Sequence, residues 1–216
     1  MITVFGREGP IWYGTGFLFH KAKFLATNVH VAGLEGVRDT WFFSPDDQFL
    51  LESRSGEVDA AAWRQRQSWH EDICALPVRS ARDKGIDRYV GFKDLKIGQE
   101  VWTLGHAGGR PWQDSRGQIV ALLDGTFDQK DRSRIRTDLA PLLARDCLKS
   151  FERYRRLIIT RGGFTIPGNS GGPVVDEYGR LVGVCYAGSM SFDAVIPMEY
   201  LFRPLNLSVP HTTKVE

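Results

Sequence analysis

Short apolar runs recur along this chain, each stopped within a few residues by glycine, proline or a charged turn. That rhythm admits a β-barrel or a sandwich and little else. Thr15-Gly16-Phe17-Leu18-Phe19 halts at His20-Lys21-Ala22-Lys23 and resumes as Phe24-Leu25-Ala26-Thr27, the pattern of a hairpin. Trp41-Phe42-Phe43 ends at Ser44-Pro45-Asp46-Asp47, and Ile73-Cys74-Ala75-Leu76-Pro77-Val78 reads as a further strand with Pro77 near its end. After a polar, basic stretch from Arg79 to Asp87 a second set begins with Val101-Trp102-Thr103-Leu104-Gly105. It continues through Gly117–Leu122, Val174-Val175, Arg180–Val184 and Ala194-Val195-Ile196. A linker between the two sets is expected around residues 79–98, and Met198–Phe202 is expected to form a short closing helix.

One segment departs from this rhythm. Leu139, Leu142, Leu143, Cys147, Leu148, Phe151 and Tyr154 lie on one face at helical spacing, which predicts an amphipathic helix inserted around 138–156. Pro141 suits its first turn, with Thr137 or Asp138 as cap. From Lys130 to Arg156 nine basic residues stand against four acids, a local charge of +5 in a chain whose net charge is only +2. Two readings remain: a solvated helix face over an extra core patch, or a docking surface for a regulatory protein or acidic partner that orders a nearby cleft.

Composition excludes several classes. Of 216 residues 42% are apolar and 25% charged, which supports a packed core and not a disordered chain. The near-balance of 28 basic and 26 acidic residues argues against a nucleic-acid binder, and no nucleic-acid-binding signature is present. No apolar run approaches the roughly 18 residues of a membrane span, so no membrane partner is expected. The N-terminal Met1-Ile2-Thr3-Val4-Phe5-Gly6-Arg7-Glu8 lacks the shape of a secretory leader, which favours a cytoplasmic location. Cys74, Cys147 and Cys185 match neither a disulfide framework nor a zinc site and read as buried thiols. The histidines are scattered. No metal and no cofactor are expected.

The chemistry-bearing motif is Gly168-Asn169-Ser170-Gly171-Gly172-Pro173. A nucleophilic serine needs an exposed hydroxyl on a tight turn, with backbone N–H groups aimed at the developing oxyanion. Glycines on both sides permit that turn and a close approach of substrate. The donors in such a geometry are the N–H groups of Gly168 and Ser170, with Asn169 between them. Upstream, Thr27-Asn28-Val29-His30-Val31-Ala32 closes an apolar strand with a histidine, a candidate general base. Asp72 stands directly ahead of the strand Ile73–Leu76, where a carboxylate could fix the imidazole tautomer. The order His30, Asp72, Ser170 is the chymotrypsin-type order. An α/β-hydrolase esterase would show the reverse order and alternating helices.

On these residues the sequence resembles the trypsin-like peptidases, and most closely their bacterial HtrA-type branch. Gly14-Thr15-Gly16-Phe17 is similar to that branch's glycine-rich first strand, Ala26–Val31 to its histidine motif, and Asp72–Leu76 to its aspartate motif. Gly168–Pro173 is similar to its serine motif, and Ala194–Pro197 to a late strand closing the substrate pocket. The resemblance implies an all-β, chymotrypsin-like fold of two six-stranded antiparallel barrels, here with the helix inserted. Residues 1–90 would form the N-terminal barrel carrying His30 and Asp72. Residues 91–216 would form the C-terminal barrel carrying Ser170 and the insertion.

The implied activity is hydrolysis of peptide bonds in a protein or peptide substrate, through an acyl-enzyme. Phe164, six residues before Ser170, would stand near the base of the first specificity pocket, with Ile166 lining it. An apolar substrate residue is expected there. Tyr186-Ala187-Gly188 would pair with the extended substrate. Asn169 stands where the digestive enzymes carry an Asp that pairs with a new N-terminus, so activation by N-terminal cleavage is not expected, whereas loop ordering is. No PDZ-type domain is expected after Glu216. The competing reading keeps the fold as a catalytically silent protein-binding module.

Overall fold

The computed structural model describes residues 2–6, 9–32, 48–50, 56–58, 67–68, 72–81, 84–110, 112–124, 156–161, 166–188 and 192–215. The inserted helix expected around 138–156 lies almost wholly outside them, as does the Trp41–Phe43 run. In the N-terminal half, β1 (Ile2–Gly6) pairs with β2 (Gly9–Gly14) and with β5 (Gln48–Leu50) in a three-stranded antiparallel sheet. A second sheet runs from β3 (Phe17–Phe19) through β4 (Phe24–Asn28) and β8 (Ile73–Ala81) to β6 (Gly56–Val58). Here β7 (Gln67–Ser68) also pairs with β8. One helical turn, α1 (Val29–Ala32), follows β4 directly.

The C-terminal half closes a six-stranded barrel. Its members in chain order are β9 (Glu100–Gly105), β10 (Gln113–Asp124), β11 (Arg156–Arg161), β12 (Pro173–Val175), β13 (Leu181–Gly188) and β14 (Asp193–Pro197). Around the barrel they follow the order β10-β11-β14-β13-β12-β9. The expected closing helix is a tight 3-10 turn, Met198–Leu201. The barrel and the mostly β content agree with the expected chymotrypsin-like class. Among the described residues the N-terminal half forms two sheets and not a second closed six-stranded ring.

Parity explains why so many strands read as unbroken apolar runs. Successive strand side chains point to opposite faces. In β3, Phe17 and Phe19 enter one cluster and Leu18 another; in β8, Ile73 and Ala75 separate likewise from Cys74 and Leu76. In β11, Leu157 and Ile159 join the first cluster while Ile158 fills the barrel with Val101, Ile119, Val174, Val182 and Val195. The first cluster takes side chains from both halves, so Phe19 packs edge-on against Phe202 with ring centroids 5.8 Å apart.

The segment after β8 is stitched to both halves. Ile86 N–H donates to Leu18 O (2.8 Å) and Val90 N–H to Leu181 O (2.9 Å), while Tyr89 and Thr213 exchange two hydrogen bonds. Tyr89, Val90, Phe92 and Leu95 are buried. What reads as a linker is therefore a packed seam. Pro77 also differs from expectation: β8 continues past it to Ala81. Pro77 stands opposite Phe24, the first residue of β4, and beyond it β8 pairs with β6, so its missing N–H falls where the strand changes partners.

Candidate active site

Two consecutive tight turns present Ser170. Asn169 N–H donates to Ile166 O (2.9 Å), with Pro167 and then Gly168 (φ 102°) as the central pair, the pattern of a type II turn. Gly172 N–H donates to Asn169 O (2.9 Å) across Ser170 and Gly171 (φ 83°). Gly171 N–H and Gly172 O then bond Cys185 O and N–H, each at 2.9 Å, which moors the turn to β13. The glycine at 171 is required twice over: by its left-handed backbone, and because a Cβ there would stand 2.2 Å from Thr15 O. Ser170 is half-buried. Its Oγ donates to Tyr186 O at 3.3 Å, and its own carbonyl accepts from Thr15 N–H at 2.9 Å.

The histidine turn and Asp72 meet through the backbone. His30 lies in α1; its side chain is outside the described residues. Val29 N–H (3.1 Å) and Asn28 Nδ2 (3.2 Å) both donate to Asp72 O. Asp72 adopts φ 49°, a left-handed conformation that costs a non-glycine residue energy and that these two bonds hold. Cys74, buried beneath, has its thiol pKa pushed up to about 12, first by burial and then by the negative charge of Asp72. Gly14 occupies the narrow space between the His30 turn and the serine turn, where a Cβ would come 2.5 Å from Val31 Cγ1 and 3.2 Å from Ser170 O. Segments around residues 14, 30, 72 and 170, far apart in the chain, thus converge.

The expected substrate-contacting residues are described unevenly. Phe164 and the side chain of Ala187 lie outside the described residues. Ile166 is 41% exposed at the first corner of the serine turn. In β13, only Leu181–Val184 pair with β12. Tyr186, Ala187 and Gly188 run on beyond that strand beside the serine turn, and on their other side Ala187 pairs with Ala194 and Gly188 with Asp193 of β14.

Two residues of the site carry little signal in the sequence. Thr15 stands there only as the middle of a glycine-rich strand, and His106 as one of several scattered histidines, within a glycine-rich turn. Both are buried. Thr15 Oγ1 donates to Gly168 O (2.7 Å) and accepts from His106 N–H (3.0 Å), with His106 Nδ1 3.3 Å away. Burial lowers the His106 pKa to about 4, and Trp112 packs on its ring with centroids 4.5 Å apart. The available signal is the confinement of Thr15 between two glycines, which marks a close backbone approach.

Known proteins resemble this chain in sequence and in fold. The trypsin-like peptidase domain profile matches residues 14–184. Protease Do-like 1, chloroplastic, from Arabidopsis thaliana is 25% identical over 179 residues, which make up 82% of this chain and 33% of that protein; the chain thus spans a third of this relative's length. Among solved structures, the HtrA-type protease AlgW with a decapeptide superposes with a TM-score of 0.60 at 19% identity, covering 92% of this chain and 52% of that one. The active form of the Rv3671c protease from M. tuberculosis gives 0.59 at 16% identity, covering 97% and 80%. With the profile spanning most of the sequence and the fold shared with HtrA-type proteases, this chain belongs to the trypsin-like peptidase family.

Proposed function

We propose that the chain is a serine endopeptidase that hydrolyses peptide bonds with Ser170 as nucleophile, His30 as general base and Asp72 as the group that orients the imidazole. The observation that carries this reading is the nucleophile turn, in which the two peptides flanking Gly168 are each tied down. Pro167 O accepts from Gly108 N–H at 2.8 Å, and Gly168 O accepts from Thr15 Oγ1. A peptide N–H lies opposite its own carbonyl, so the tie to Gly108 turns the Gly168 N–H to the other side of the turn.

In this mechanism the Ser170 hydroxyl leaves Tyr186 O and attacks the scissile carbonyl as His30 takes its proton. The oxyanion forms between the N–H groups of Gly168 and Ser170, an arrangement whose single donors are worth about 10²–10³ in kcat. His30 then returns the proton to the leaving amine, and water releases the acyl group by the same route in reverse. The run Tyr186–Gly188, which continues past the residues of β13 paired with β12, suits an extended peptide laid along it. Exposed Ile166, together with Phe164 by family position, favours an apolar residue at the cleaved bond. Asn169 is fully buried with its amide over Gly105, where a Cβ would meet Asn169 Oδ1 at 2.4 Å. A neutral amide there needs no ammonium partner, which fits activation without a newly cut N-terminus.

The test is labelling by a fluorophosphonate probe together with profiling of cleaved peptides, for wild type and Ser170→Ala. The expected result is labelling and cleavage after apolar residues in wild type, with both lost in the variant. An unlabelled wild type would leave the protein-binding module as the better reading, and cleavage mainly after Lys or Arg would overturn the pocket assignment.

A further inference from the structure

Resting on the serine-peptidase reading, we propose that Thr15, seated by His106, is a positioning residue for the oxyanion hole. A threonine hydroxyl has one proton to give and two lone pairs to offer. The proton goes to Gly168 O at 2.7 Å. The lone pairs face His106 N–H at 3.0 Å and His106 Nδ1 at 3.3 Å. Because the hydroxyl proton is already committed, the ring contact is a hydrogen bond only when Nδ1 carries the proton. That selects the Nδ1–H tautomer, with Trp112 covering the ring. All three sites of the Thr15 hydroxyl are then occupied in a fully buried position.

The need for such a brace follows from Gly168 itself. Its φ of 102° is what the turn requires, yet glycine supplies no rigidity of its own at that angle. The aim of the N–H donors must therefore come from bonds made by neighbours. Thr15 supplies two: its hydroxyl fixes the peptide after Gly168, and its N–H fixes the carbonyl of Ser170 at 2.9 Å. Its own carbonyl accepts from Thr27 Oγ1 at 2.8 Å, on the strand that leads into His30. One buried residue of the N-terminal half thus sets the nucleophile turn of the other half against the histidine turn.

The experiment compares Thr15→Val, nearly isosteric but without the hydroxyl, with Thr15→Ser, which keeps it. The readouts are kcat, KM and fluorophosphonate labelling rate. A mis-aimed donor should cost part of the roughly 10²–10³ that a deleted one costs, so Thr15→Val is expected to lose about ten- to a hundredfold in kcat and labelling rate. KM should change less than about twofold, because the lost contact acts on the transition state. Thr15→Ser should recover most of the loss. A folded Thr15→Val with wild-type kcat overturns the proposal, as does a loss confined to KM or a Thr15→Ser as impaired as Thr15→Val.

Should Thr15→Val not fold, His106→Phe carries the test. It keeps a ring beneath Trp112 and removes the Nδ1–H, and the net worth of one hydrogen bond predicts a fall in kcat of about two- to tenfold. A folded His106→Phe with unchanged kcat overturns the proposal. An unlabelled wild type is a different result: it sinks the peptidase reading itself.

Discussion

Replacing Gly171 by alanine adds one methyl group at the most crowded point of the serine turn. The new Cβ would stand 2.2 Å from Thr15 O, 2.3 Å from Thr27 Oγ1 and 3.1 Å from Asn28 N. A carbon and an oxygen in contact sit about 3.3 Å apart, so two overlaps of about 1 Å must be relieved. Neither oxygen can yield easily, because Thr27 Oγ1 donates to Thr15 O at 2.8 Å. Such overpacking costs about 1–3 kcal/mol, and the left-handed φ of 83° adds about 1–2 kcal/mol for a residue with a Cβ. The sum is about 2–5 kcal/mol.

Gly179, in the turn between β12 and β13, provides the internal control. It has φ 69° with no atom within 4 Å of its missing Cβ, so Gly179→Ala should cost only the backbone share, about 1–2 kcal/mol. Urea unfolding followed by tryptophan fluorescence, with both midpoints read at a common slope, measures the difference. At about 2–4 °C per kcal/mol, Gly171→Ala should melt roughly 4–20 °C below wild type. Equal destabilisation by the two substitutions would refute the packing argument, since their backbone penalties alone are alike.

Two further outcomes are expected. The His106 pKa falls on folding from its ordinary 6.5 to about 4, so as pH drops the unfolded chain takes up this proton first. Its share of stability is therefore intact above about pH 6.5 and is lost as pH falls toward about 4; thermal melts across that window should show a steeper loss in wild type than in His106→Gln, and parallel curves would count against it. Asp176 is buried and accepts from Tyr178 N–H (3.0 Å), Arg180 N–H (2.9 Å) and Arg180 Nε (2.8 Å). Asp176→Ala removes the carboxylate that balances the charge of the largely buried Arg180 guanidinium, leaving it, among the described residues, only Thr213 O and the Tyr178 ring. It should cost about 3–5 kcal/mol by urea unfolding, a loss below about 1 kcal/mol being the contrary result.

Much of the β framework is legible in local chemistry. The β3–β4 hairpin follows from two apolar runs around a polar corner, and Leu18 and Leu25 are paired across it. The runs in β12, β14 and the first part of β13 stand out because strands buried on both faces keep no polar alternation. Other strands leave a fainter mark: β1 and β2 carry little beyond Ile11-Trp12-Tyr13 as a strand signal, and β11 begins with an arginine, at the edge of a segment whose spacing reads as helical. The closure of the C-terminal barrel cannot be read locally, because the pairings of β9 with β12 and of β11 with β10 and β14 join residues distant in the chain.

The glycines of Gly168–Gly172 and the order of His30, Asp72 and Ser170 are plain in the sequence. A glycine-flanked serine announces a turn through backbone sterics that act within a few residues. Strand rhythm and the local shape of the serine turn are thus written in neighbouring residues. What holds that turn is a matter of tertiary packing. The backbone contact of Asp72 with Asn28 and Val29, the wedge of Gly14 between two loops, and the grip of Thr15, seated by His106, on Gly168 join residues as far apart in the chain as Gly14 and Ser170. Such bonds depend on which buried donor finds which acceptor once two sheets have closed, and no local pattern encodes that choice.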